Sequence, residues 1–204
     1  MACPGYPDRR GTAIFDAEDA TPMPSMRPEN VIDFWFTQLT PKQWFVKDSA
    51  LDGAIADQFG PTLEAAAAGE LWHWRTSARG RLAEVLVLDQ FPRNIHRDSA
   101  AAFAHDSQAL ILAQEAVAQG ADRILDVPWR AFLYMPYMHS ESLVVHDEAL
   151  RLFDQPGLEE NLRFEHRHRE ILLKFGRYPH RNAVLGRTSS EDEQAFLSRP
   201  GSSF

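Results

Sequence analysis

The stretch Asp48-Ser-Ala-Leu51-Asp-Gly-Ala-Ile55-Ala-Asp-Gln-Phe59-Gly-Pro-Thr-Leu63-Glu-Ala-Ala-Ala-Ala-Gly69 puts large apolar side chains at 51, 55, 59 and 63. A spacing of four keeps them on one face of a helix with 3.6 residues per turn. Asp48 or Ser49 is the expected N-cap, since a short oxygen-bearing side chain can accept from the first free N–H groups, and Gly69 supplies a left-handed stop. The same period extends outward in both directions. Pro28 opens a helix through Val31, Ile32, Phe34, Trp35 and Leu39, with the proline tolerated in the first turn. Another runs from about Ser77 to Gln90, with Leu82, Val85 and Leu86 inward, and stops before Pro92. A fourth starts at Asp98 or Ser99, carries Phe103, Leu110, Ala113 and Val117, and ends at Gly120. Pro128 starts a fifth through Trp129, Phe132 and Leu133, which Pro136 is expected to kink or end. Further helices carry Leu143, Leu150 and Phe153, then Leu158 to Phe175 with Gly176 as terminator. The last is read as opening on a capping box at Thr188-Ser189-Ser190-Glu191 and ending near Leu197. No alternating β-branched runs bounded by turn dipeptides occur. The reading is all-α: a single compact domain of about eight helices in antiparallel pairs.

Composition bounds the rest. With 204 residues and 44% apolar side chains the chain can bury a large core, about 70% of its unfolded surface at this size. A lone Cys3 allows no internal disulfide. Residues 1–27, with Pro4, Pro7, Pro22 and Pro24 among small polar residues, read as a tail, 28–197 as the domain, and 198–204 as a frayed end. No run approaches the ~18 apolar residues of a membrane span. No basic segment followed by an apolar one opens the chain, so a cytoplasmic protein with no membrane partner is expected. The net charge of −8 argues against a nucleic-acid partner.

That charge is unevenly placed. Arg163 to Arg187 carries seven bases and two acids, net +5, leaving −13 on the rest. The segment is either a solvated face whose bases pair with acids elsewhere, or part of an anion pocket. The pocket reading rests on the loop after Gly176, where Arg177, His180, Arg181 and Asn182 crowd together. Arg177, Arg181 and Arg187 have the fork that fits a carboxylate or phosphate, and the helix opening at Thr188 would add free N–H groups. The loop also echoes an earlier one: Glu84-Val-Leu-Val-Leu-Asp-Gln-Phe-Pro-Arg-Asn94 resembles Glu170-Ile-Leu-Leu-Lys-Phe-Gly-Arg-Tyr-Pro-His-Arg-Asn182 in kind. Two helices that merely end alike at proline explain the echo slightly better than a duplication does. If the two exits face each other, Arg93 and Asn94 form one wall of a site, with Arg177, His180, Arg181 and Asn182 opposite and His139 and Glu141 between.

Asp89, Asp106, His139, His146 and His168 fall on apolar stripes. Buried ionisable groups need partners, so an inward Asp89 or Asp106 is expected to meet Arg81 or Arg93. The candidates for proton transfer are His139, Glu141, His168 and His180, histidine being the side chain that titrates near neutrality. No metal-ligand spacing, Gly-x-Ser-x-Gly elbow, Walker loop or dinucleotide glycine pattern is present, and no motif names a cofactor. Three functions compete: binding of a small anionic or polar ligand, with weak catalysis as an option; a helical-repeat module for a protein partner, with Trp72 and Trp74 as anchors; and, least favoured, a metal-dependent hydrolase assembled from His139, Glu141, His168 and His180.

Several blocks together carry a family resemblance: Val31-Ile-Asp-Phe-Trp-Phe36, Trp44-Phe45, Leu88-Asp-Gln-Phe-Pro-Arg-Asn-Ile95, Phe132-Leu-Tyr-Met-Pro-Tyr-Met-His-Ser-Glu141, His168-Arg-Glu-Ile-Leu172, Phe175-Gly-Arg-Tyr-Pro-His-Arg-Asn182 and Leu185-Gly-Arg187. In this order, over about residues 29–198, the chain resembles the bacterial family called domain of unknown function 924. The resemblance implies a single all-α domain similar to the tetratricopeptide-like superhelix, and no assigned activity. Tyr178 stands where the family usually has Phe, and Leu172 where Ile is common.

Overall fold

The computed structural model describes residues 26–202. The readings of residues 1–25 as a tail and of Cys3 as an unpaired thiol therefore lie outside the described residues. Those residues form nine α-helices, with a π-helical turn over Phe34–Gln38 continuing α1, 3₁₀ turns in several connections, and no strand among them. The helices are α1 (Pro28–Asp33), α2 (Ser49–Ala67), α3 (Ala78–Asp89), α4 (Phe91–Ile95), α5 (Asp106–Ala118), α6 (Val127–Met138), α7 (Leu143–Phe153), α8 (Glu159–Phe175) and α9 (Glu191–Leu197).

Helix α3 is the axis of the molecule. It packs on α1, α2, α5 and α6, and every residue from Leu82 to Asp89 is buried. A helix buried all round carries little amphipathic signal, which is why Val85-Leu-Val-Leu88 reads as a continuous apolar run. Glu84 inside it is kept from isolation by Arg75, whose Nε and Nη2 both donate to its carboxylate at 2.7 Å. Around the axis, Phe34, Trp35, Phe59, Phe91 and Phe132 form an aromatic core with ring centroids 4.8–6.4 Å apart. Tilted and edge-on contacts of this kind each add about 0.5–1.5 kcal/mol beyond area burial.

Helices α6, α7 and α8 pack in succession. Beyond them a second, smaller cluster gathers Ile171, Leu172 and Tyr178 with Leu143, Phe175 and Phe196. Gly176 ends α8 with φ of 70°, a conformation nearly free for glycine and costly for other residues.

Four local expectations are corrected. The segment from Asp98 is two elements: a 3₁₀ turn over Ala100–Phe103, then α5 starting at Asp106. Helix α3 ends at Asp89, before Pro92 as expected, and Pro92 then sits in the first turn of α4. Helix α6 runs past Pro136 to Met138. The last capping box is Ser190 with Glu193, so α9 opens at Glu191 rather than near Thr188. Trp74, offered as a surface anchor, is buried at 3% exposure, whereas Trp72 is 67% exposed.

Candidate functional site

One end of the bundle brings together the C-terminus of α3, helix α4, the start of α5, the C-terminus of α6 and the 3₁₀ turn Pro179–Arg181 that follows α8. Each contributes a polar side chain that its helix register points inward. Asp89 is the last residue of α3 and is fully buried. Its Oδ1 lies 2.7 Å from His139 Nδ1, its Oδ2 accepts from Gln90 Nε2 at 2.6 Å, and Arg93 Nη1 is 3.4 Å from Oδ1. Arg93 Nη1 also donates to the Asp89 carbonyl at 2.5 Å, which locks the guanidinium to the end of α3.

The second carboxylate is Asp106, at the start of α5. Its Oδ2 accepts from Arg93 Nη2 at 3.0 Å and from Arg181 Nη1 at 3.1 Å. Arg181 Nη2 donates to the backbone oxygen of His139 at 3.0 Å. The Arg181 guanidinium is packed between Phe103, at 4.5 Å, and Tyr178, at 4.8 Å, and Arg93 covers Phe103 at 5.6 Å. Tyr178 donates its hydroxyl to the Met138 carbonyl at 2.6 Å and lies 3.1 Å from His146 Nε2. The rings of His146, His168 and His180 surround Tyr178 at 5.6–6.4 Å.

Burial sets the charge states. Burial first, then the neighbouring Arg93, holds His139 below the ordinary imidazole range, although Asp89 pulls the other way. Burial also takes His168 down to about 3. Burial and the Arg181 charge take His180 to about 4. All three imidazoles are therefore neutral at pH 7. Asp89 stays ionised: burial works against its charge, but Arg93 and His139 outweigh it and hold the carboxyl below the usual range.

The expected wall residues do not all converge. Arg93, Arg181 and His139 meet in one cluster, with His180 beside them. Asn94 turns the other way and donates to Asp52 on α2 at 2.8 Å, next to the bidentate Arg97–Asp52 pair. Arg177 pairs with Glu193 through Nε and Nη2, lining a separate cleft of about 300 Å³ with Lys174, Phe175, Ser190 and Asp192. Asn182 donates to Ser189. Glu141 accepts from both Nη atoms of Arg187 and from the Tyr178 backbone N–H, so its carboxylate is spent on bracing. His168 Nδ1 donates to the Phe164 carbonyl at 2.8 Å. Arg81, the alternative partner for the interior acids, bridges instead to Glu115. Asp89, Asp106, Phe103 and Tyr178 complete the cluster. The two acids had a sequence signal in their places on apolar stripes, whereas the two rings read as ordinary core. Among the described residues no three His, Cys, Asp or Glu side chains gather so as to hold a metal ion. No helix among them is long and apolar enough to cross a membrane.

The comparisons with other proteins bear on this whole arrangement. The family model described as "Bacterial protein of unknown function (DUF924)" matches residues 31–201. The chain belongs to this family. A solved structure, that of the protein of unknown function ATU0120 from Agrobacterium tumefaciens, is 37% identical, with a TM-score of 0.80 over 84% of this chain and 96% of that one. No curated protein matches the chain. Every element that builds the bundle-end cluster of this DUF924 protein, from α3 to the turn after α8, falls inside the matched residues.

Proposed function

We propose that the bundle-end cluster binds a small polar ligand through an oxyanion, a carboxylate or phosphate, held by Arg93 and Arg181. One observation carries the reading: two guanidiniums from separate elements converge on a single carboxylate oxygen of Asp106. Asp106 stands where the oxyanion of a ligand would stand. The two arginines already share the carboxylates of Asp106 and Asp89, so an incoming anion exchanges with Asp106 rather than filling an empty positive site. That supports binding of moderate strength, because one charge-assisted contact replaces another. Arg93 and Asp106 keep 20% and 17% of their side chains exposed, so the exchange happens at the mouth of the cluster. Arg181 Nε is buried without a hydrogen-bond partner among the described residues, one guanidinium donor still unspent. Small molecules in a cytoplasmic setting, rather than nucleic acid, suit a chain of net charge −8.

Thermal shift against inorganic phosphate, small carboxylates and nucleotides tests the reading. At least one class is expected to raise the melting temperature of the wild-type chain. Asp106→Asn, which removes the competing carboxylate, is expected to bind the same probe more tightly. Arg181→Lys, which keeps the charge and loses the fork, is expected to bind it more weakly, and Arg177→Ala is expected to change nothing. Stabilisation by no probe, or by the same amount in all four proteins, would remove the proposal.

A further inference from the structure

We infer that the oxyanion ligand carries a hydroxyl next to its anionic group, and that His139 Nε2 accepts that hydroxyl's hydrogen, so that the site selects small α-hydroxy carboxylates over their deoxy analogues. The inference rests on the oxyanion reading above and adds the chemistry of the adjoining group.

The argument is proton bookkeeping. Asp89 is fully buried, and each of its oxygens faces a donor position: Gln90 Nε2 at Oδ2, and His139 Nδ1 at Oδ1. An ionised carboxylate only accepts, so the hydrogen of the 2.7 Å contact sits on Nδ1. A neutral ring with Nδ1–H has its lone pair on Nε2. That nitrogen has no partner among the described residues, is not among the buried polar atoms left unpaired, and belongs to a side chain 15% exposed. It is an acceptor open to solvent, and it can neither donate nor tumble, because Asp89 fixes the ring.

His146 cannot play this part: its Nδ1 meets Glu165 Oε1 at 2.5 Å and its Nε2 meets the Ser140 carbonyl at 2.8 Å. His168 has its Nδ1 committed to the Phe164 carbonyl and is only 5% exposed. The lowered basicity of His139 agrees with an acceptor role near pH 7.

Shared anchoring then relates the acceptor to the arginines. Arg93 and the His139 ring both touch Asp89 Oδ1, at 3.4 and 2.7 Å, and Arg181 is tied to the His139 backbone oxygen. The oxyanion-binding groups and the acceptor are thus anchored on one residue pair, Asp89 and His139, so a ligand that reaches both carries its hydroxyl close to its anionic group. A site whose buried polar groups hydrogen-bond a hydroxyl discriminates strongly against the analogue lacking it.

The test uses matched pairs with the full chain: glycolate against acetate, lactate against propionate, malate against succinate, by titration calorimetry at pH 7. At least one hydroxy acid is expected to bind tenfold or more tightly than its partner, and His139→Leu is expected to abolish that ratio while retaining weak binding of both. Equal affinities within every pair would overturn this inference and leave the oxyanion reading standing. Binding of none of the six would also overturn this inference, while the phosphate and nucleotide probes above decide the oxyanion reading. Because His139→Leu removes the imidazole donor from Asp89 Oδ1 and risks misfolding, two-bond ¹H–¹⁵N imidazole spectra of the wild type provide an independent readout. They are expected to show His139 protonated at Nδ1 and bare at Nε2 at pH 7. An Nε2–H tautomer or an imidazolium there would overturn the inference by itself.

Discussion

Arg93 and Arg181 donate to the same atom, Oδ2 of Asp106, at 3.0 and 3.1 Å, and both lie over the Phe103 ring. One follows Pro92 in α4 and the other follows Pro179 in the turn after α8, the two positions the sequence echo sets in register. The echo is therefore structural at its arginines, which converge, and not at its asparagines, since Asn94 goes to Asp52 and Asn182 to Ser189.

Removing Asp106 should leave two guanidiniums facing each other with nothing between them. Stranding buried charge costs about 3–5 kcal/mol, and the partial exposure of this pair lowers the expectation for Asp106→Asn to about 2–3 kcal/mol. The urea midpoint measures it. In a double-mutant cycle, adding Arg181→Gln should recover part of the loss, because the unpaired charge goes with it. Strict additivity would show that the two groups do not interact.

The buried histidines give stability a defined acid limb. The folded-state values of His168 and His180, about 3 and about 4, lie below the ordinary imidazole value of 6.5. Between roughly pH 6.5 and 4 the unfolded chain binds protons that the folded chain refuses, so stability falls as pH falls through that window and is flat above it. Asp89 and Glu141, held below their ordinary values by Arg93 and His139 and by Arg187 against the pull of burial, add a second loss only at lower pH. Urea unfolding at pH 8, 7, 6 and 5 should show at least about two protons taken up on unfolding at pH 5, with His139 adding to His168 and His180, and about one fewer in His168→Gln. A stability constant from pH 8 to 5 would contradict this.

Tyr178→Phe isolates one hydroxyl. That group donates to Met138 O at 2.6 Å and also lies 3.1 Å from His146 Nε2, inside the smaller cluster. Its loss leaves a buried carbonyl short of a donor, at about 1–2 kcal/mol. Thermal unfolding should show a matching decrease while the circular dichroism stays fully helical. A neutral outcome would mean that solvent reaches Met138.

Gly80→Ala separates propensity from packing. In the first turn of α3, alanine alone would favour the helix by about 1 kcal/mol. A Cβ at this position, however, would sit 1.9 Å from the backbone oxygen of Trp74 and 2.8 Å from its carbonyl carbon. Backbone cannot move aside as a flexible side chain can, so a net loss of about 2 kcal/mol or more is expected. A stabilised variant would show that the 3₁₀ turn at Trp72–Thr76 yields.

The four-residue spacing of Leu51, Ile55, Phe59 and Leu63, the Asp48 cap and the Gly176 stop were legible because each depends on neighbours within one or two turns. So was the inward placing of Asp89, His146 and His168, which follows from helical period alone. Which charges meet was not legible. Asn94 and Arg93 are adjacent in sequence yet serve α2 and α5, since successive residues on a helix point about 100° apart and only the packed neighbours decide what each one finds. Five arginines of the segment net +5 pair with Glu160, Asp147, Glu193, Asp106 and Glu141, so the excess charge visible along the chain disappears in the fold. Local sequence thus determined the helices and the depth at which each polar group lies. The partners, and with them every charge state at the bundle end, were decided by tertiary packing, because Coulomb energy depends on separation in space and on burial rather than on distance along the chain.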